Sequence, residues 1–179
     1  MTLAIFHRLE AHYGKGAVFI DIDRIPFGTD FRKHICNELR DCDILIAIVG
    51  RKWLGPIKRG PPRIKDEGDW VRLEIETALD RDIQVVPVLV DGATMPKKDQ
   101  VPETIDLFRY RQAARIDHGA HFFAQMDRLV YVMDRTLKGE ADESWSRTTV
   151  NSLDLQKLID ERPNANVSET NRAKQVPVR

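Results

Sequence analysis

The stretch Asp43-Ile-Leu-Ile-Ala-Ile-Val49 decides how the rest of the chain is read. Its apolar residues follow one another without polar alternation. A strand with one wet face alternates; a continuous run is buried on both faces, as in a parallel sheet covered by helices. Gln84-Val-Val-Pro-Val-Leu-Val90 repeats the pattern. Pro87 inside it brings no N–H to a ladder, which points to a bulge or incomplete pairing.

Outward from these two runs the period changes to that of helices. Leu3, Phe6, Leu9 and Tyr13 recur at three to four residues, and Gly14 suits a helix C-cap. Ala17-Val-Phe-Ile20 reads as a short strand, and Asp21 to Gly28, with Asp, Pro and Gly, as a loop. Thr29 or Asp30 can cap a helix through Phe31, Ile35 and Leu39. Arg51 to Gly68 is rich in Gly, Pro and Lys and has no periodicity; so long a stretch in a compact domain is usually functional or mobile. Asp69 caps a helix over Trp70–Arg81. A helical turn at Pro102–Phe108 and a weaker strand at Gln112–Ile116 follow. A closing helix marked by Phe122, Met126, Leu129, Val130 and Met133 ends near Gly139. Helix and buried strand thus alternate over residues 1–138, which predicts an α/β domain with a parallel sheet. Residues 139–179 are polar and read as a tail or linker, largely disordered, with a short helix at Leu153–Ile159 at most.

Composition removes several classes of function. The 179 residues carry 28 basic and 28 acidic side chains, so no long-range field attracts nucleic acid or an anionic membrane. The few aromatic residues do not interleave with basic runs, which argues against a stacking platform for single strands. The apolar runs are too short to span a bilayer, and the first residues lack the regions of a signal peptide. Cys36 and Cys42 have no zinc-type spacing and read as reduced thiols of a cytoplasmic protein. No metal site is expected: His118 and His121 stand three apart with nothing to complete a ligand set. Gly14-Lys-Gly16 lacks P-loop spacing, and no serine sits in a nucleophile elbow.

The helix over 70–81 offers the most chemistry. At about 100° per residue, Val71, Ile75, Ala78 and Leu79 form the buried arc, with Arg72, Glu76 and Asp80 opposite. Trp70 and Glu74 lie one turn apart at the arc's edge, where a carboxylate is partly desolvated beside a ring and its pKa rises. Spacing alone leaves two readings open: a reactive carboxylate, or a glutamate in a surface network. Trp70 likewise either stacks on a ligand or finishes the core. Trp53, in the long polar loop, walls a pocket or sits at an assembly contact. Phe27, in the tip Pro26-Phe27-Gly28, puts a ring on a loop at a strand's carboxyl end, where open α/β sheets bind ligands.

Four segments resemble TIR (Toll/interleukin-1 receptor) domains of the bacterial type. Val18-Phe-Ile-Asp-Ile-Asp-Arg-Ile-Pro-Phe-Gly28 is similar to the family's second strand and BB loop. Asp41-Cys-Asp-Ile-Leu-Ile-Ala-Ile-Val-Gly50 with Lys52-Trp53-Leu54 resembles the third strand. Asp69-Trp-Val-Arg-Leu-Glu-Ile-Glu-Thr-Ala-Leu79 resembles the third helix, with its Trp-x-x-x-Glu spacing. Val85-Val-Pro-Val-Leu-Val-Asp-Gly-Ala-Thr-Met-Pro96 resembles the fourth strand and loop. They occur in family order over roughly residues 2–138.

The resemblance implies a flavodoxin-like sheet of order 2-1-3-4-5 with helices on both faces. It also implies one of two activities: NAD⁺ hydrolysis in signalling or defence, activated by self-assembly, or non-catalytic assembly through TIR–TIR contacts. In the first, NAD⁺ is a substrate rather than a cofactor. Glu74 is then the catalytic carboxylate, and Trp70, Phe27, Gly28 and Trp53 bind substrate. One carboxylate can suffice, because nicotinamide leaves as a neutral base and only the oxocarbenium-like transition state needs stabilising. The family's central first strand has no counterpart ahead of Thr2. An empty slot would leave two rows of backbone groups unpaired, so a late start or a fragment is expected. A partner chain or the tail around Trp145–Val150 is the other way to fill it.

Overall fold

A computed structural model of the chain describes residues 1–20, 30–55, 61–139 and 176–178. Along the sequence run α1 (Thr2–Tyr13), β1 (Val18–Ile20), α2 (Phe31–Glu38), β2 (Ile44–Val49), α3 (Trp70–Asp80), β3 (Gln84–Val90), β4 (Ala114–Ile116), α4 (Phe122–Leu137) and β5 (Val176–Val178). Short 3₁₀ segments at Arg63–Lys65 and Glu103–Tyr110 flank α3. The Pro102–Phe108 turn is thus a longer 3₁₀ segment that continues to Tyr110.

The strands form one parallel sheet of order β1-β5-β2-β3-β4. With β5 counted in the first strand's place, this is the flavodoxin-like order 2-1-3-4-5. The central slot is therefore not empty. Val176–Val178 fills it, pairing with β1 from Val18↔Val176 to Ile20↔Val178 and with β2 at Ile46↔Val178. The strand expected from a missing upstream segment is thus replaced by three residues of the tail that the sequence reads as polar and largely disordered. Unpaired donors and acceptors on β1 and β2 favour any extended segment that can reach them. A valine-proline-valine triplet is too short to show periodicity in a polar segment. Trp145–Val150 and Leu153–Ile159 lie outside the described residues.

β2 shows why the continuous apolar run signals burial on two sides. Ile44, Ile46 and Ile48 pack with Ile5, Leu9, Met126, Leu129 and Met133 from α1 and α4. Leu45, Ala47 and Val49 pack with Ile35, Leu39, Ile75, Ala78 and Phe108 on the other face. Side chains alternate across a strand, so each face needs its own apolar set. The result is three layers, helices on both faces of the sheet. Pro87 stays in the β2–β3 ladder opposite Ala47, and β4 joins only at Val88, so the missing N–H does not interrupt the register.

Local signals set the helix ends. The Gly14 N–H donates to the Glu10 carbonyl at 2.9 Å with φ +95°, a backbone conformation that favours glycine. Asp69 accepts the Arg72 N–H at 3.0 Å as the N-cap of α3.

Candidate active site

α3 enters from the loop that follows β2, so its first turn lies near the carboxyl edge of the sheet, where open α/β folds bind ligands. Asp69 caps it, and its side chain is only 1% exposed. Its second oxygen faces Arg63 Nη1 at 3.0 Å. Arg63 is held in turn by Gly55: a Cβ on Gly55 would stand 2.4 Å from the Arg63 Cβ, and Gly55 has φ +85°. No other residue fits there without moving the backbone, so the two arms of the loop meet at this point. Arg63 belongs to the stretch Arg51–Gly68, and its partner is the carboxylate that caps α3.

Glu74 lies one turn further along α3 and is 5% exposed. Burial pushes its carboxyl well above the ordinary glutamate range, and the nearby charge of Asp69 pushes it further. The position corrects the expected edge of the apolar arc, because Glu74 is inside. Trp70, expected beside it at the same boundary, is 40% exposed. The physical reason is that α3 is covered by more than the sheet: α2 and the 3₁₀ segment Glu103–Tyr110 both pack on it, which widens the buried arc beyond the apolar one. The same cover corrects the expectation for Arg72 and Glu76, which are largely buried rather than solvated. Arg72 Nε donates to Glu76 Oε1 at 2.6 Å and its Nη1 to the Lys65 carbonyl at 2.8 Å. The Thr104 hydroxyl also donates to Glu76. These contacts tie α3 to both flanking 3₁₀ segments.

Trp53 is packed as well as positioned. It is 9% exposed and stacks on Phe108, with ring centroids 5.4 Å apart and planes 18° apart. Its other surroundings form a cleft of about 390 Å³ at the carboxyl ends of β2 and β3, lined also by Gly50, Gly92, Met95 and Pro96. Neither Glu74 nor Trp70 lines this cleft. At its rim, Arg51 Nε donates to the Asp91 carbonyl at 2.7 Å, and His118 Nε2 meets Asp91 Oδ1 at 3.1 Å.

Phe27 and Gly28 lie outside the described residues. Cys36 and Cys42 are free thiols. Burial pushes the Cys42 thiol above its ordinary value, with Asp43, Glu38 and Glu74 adding to the shift against a hydrogen bond to the Ile44 carbonyl. It is a neutral packing group and not a nucleophile. Among the described residues no three His, Cys, Asp or Glu side chains gather as a metal site, and no helix is long and apolar enough to cross a membrane.

Among curated proteins, none matches the chain. The family model of the TIR domain matches residues 1–130, from α1 into α4. That span includes β1 to β4, the capped helix α3 with Glu74, and the cleft walled by Trp53. With the parallel α/β sheet that these elements build, the match shows that the chain belongs to the TIR domain family.

Proposed function

We propose that this TIR domain is an NAD⁺ glycohydrolase that works in signalling or defence when assembled, with Glu74 as its catalytic carboxylate. The observation that carries the reading is a carboxyl almost removed from water on α3, the helix that follows the loop after β2. A structural glutamate normally keeps its charge in solvent, so burying one this deeply has to serve something.

Burial and the nearby charge of Asp69 both favour the protonated form of the Glu74 carboxyl. A nicotinamide ring in NAD⁺ carries a positive charge, and an opposite charge within a few ångströms favours ionisation. The carboxyl then loses its proton to solvent and stabilises the developing oxocarbenium ion. The bond between the ribose carbon and the nicotinamide nitrogen breaks with its electron pair going to nitrogen, which becomes neutral. Water adds to the ribose carbon and gives up a proton, which the ionised Glu74 accepts. A ribose hydroxyl in place of water gives a cyclic product. In this reading Trp70, Trp53, Phe27 and Gly28 bind substrate, with Trp70 the more exposed of the two tryptophans.

Full-length protein, concentrated until it assembles, is expected to release nicotinamide, with Glu74→Gln silent. Turnover unchanged in Glu74→Gln sinks the assignment. The exposure of Trp70, Leu107 and Tyr110 favours a second reading, a non-catalytic TIR adaptor that binds other TIR domains. It predicts no nicotinamide at any concentration, with partner binding lost on changing Phe27 or Gly28.

A further inference from the structure

We propose that the strand Val176–Val178 is exchangeable, and that the slot between β1 and β2 is a docking site for the same strand of a second copy of this chain. Three observations support it. First, the ladder is short: three register pairs join the insert to β1 and one joins it to β2. Pro177, in the middle, has no N–H to donate. Second, its connection is long. Residues 140–175 separate α4 with its cap from β5. Fully extended, that connection spans up to roughly 120 Å. The radius of gyration of a domain this size is only about 14 Å. The strand can therefore reach its own slot or a neighbour's. Third, the slot exists in every copy, flanked by unchanged β1 and β2, so own and exchanged pairings make identical contacts.

With contacts equal, local concentration decides. A tether of this length holds its own strand at an effective concentration on the order of millimolar or less. Copies gathered to that density exchange strands, and copies at low density close on themselves. β5 lies where the strand order reverses, so exchange places a neighbour's segment at the ligand-binding edge. Exchange then links copies through the sheet beside the site, whatever that site turns over.

Register pairs supply the test. Ile20 and Val178 are opposed across β1 and β5. Neighbouring strands lie about 4.8 Å apart, within the span of a disulfide. Full-length Ile20→Cys and full-length Val178→Cys are mixed under oxidising conditions and followed by non-reducing electrophoresis and intact mass. The wild-type chain, with Cys36 and Cys42, gives the background. A linked heterodimer well above that background, rising with concentration, is the expected result. The double variant Ile20→Cys/Val178→Cys is expected to close within one chain when dilute. If the double variant closes but the single variants never couple, exchange does not occur. If neither couples, β5 is not in the slot and the proposal falls with it. Should Ile20→Cys melt early, Val18 with Val176 provides a second opposed pair for the same assay.

Discussion

Between β2 and β3, six residue pairs run in register from Ile44↔Gln84 to Val49↔Leu89, whereas β1 and β5 share three. Every residue of β2 is buried, and α3 packs against the β2–β3 pair on its way from one strand to the other. β1 and β5 come from opposite ends of the sequence, so their pairing must overcome a large loop-closure entropy with few contacts. Both pairs are parallel and apolar, yet one is a frame and the other a seal. The frame carries Asp69, Glu74 and Trp53. The site-bearing residues thus stand on the longer ladder, beside the shorter one.

The sharpest way to separate frame from function is Glu74→Gln. Nicotinamide release is expected to fall at least about a hundredfold, as when a group that stabilises transition-state charge is removed. The melting temperature should not fall with it. The pH dependence of stability provides a check that needs no substrate. The folded carboxyl titrates well above its ordinary 4.5, whereas the unfolded one does not. Wild-type stability is therefore greatest below the unfolded value and declines as pH rises from there through the folded value. The advantage of Glu74→Gln in thermal melts should grow over that window and then level off. A flat difference from acid to neutral pH contradicts the buried, raised carboxyl.

Next in size is the packing contrast. Ile46→Ala in β2 should cost about 2–5 kcal/mol in denaturant unfolding. Val18→Ala in β1, also buried, should cost about 1.6 kcal/mol for two methylene equivalents. Equal losses would erase the distinction between frame and seal.

Asp69→Ala should cost about 1–2 kcal/mol, mainly the lost cap of α3. Arg63 is half exposed, so the broken ion pair adds little. The same change removes a charge that raises the Glu74 carboxyl, which should then titrate lower. That shift, read by carboxyl infrared absorption, tells electrostatic coupling from simple loss of the cap. The smallest effect is expected at the cleft rim: His118→Ala breaks a solvent-exposed pair with Asp91 and should change stability by less than about 1 kcal/mol. A larger loss would mean that the rim, not α3, organises the strand ends.

Much of the frame was legible residue by residue. The unbroken run Ile44–Val49 announced a strand covered on both faces, Asp69 announced a helix start, and Gly14 a helix end. Trp53 lines a cleft, as a ring in a polar loop suggests, but its stacking on Phe108 is not legible in the sequence. The depth of Glu74 was not legible, because helical periodicity describes one face at a time and cannot register a second layer laid over the flank. The cover on Arg72 and Glu76 is illegible for the same reason: a charge looks solvated until its partner from another element is known.

The sequence by itself determined the order of strands and helices, the two-sided burial of the sheet, the cap that starts α3 and the resemblance of its motif to the TIR family. These depend on local chemistry and on periods of two and 3.6 residues, which neighbours along the chain can satisfy. Only the tertiary structure decided that Glu74 is buried, that Arg63 answers Asp69, and that Val176–Val178 completes the centre of the sheet. Each of these joins groups from separate elements, and β1 and β5 stand more than 150 residues apart. Pairing at that range is governed by which backbone groups would otherwise go unsatisfied, a property of the assembled fold and not of any one segment.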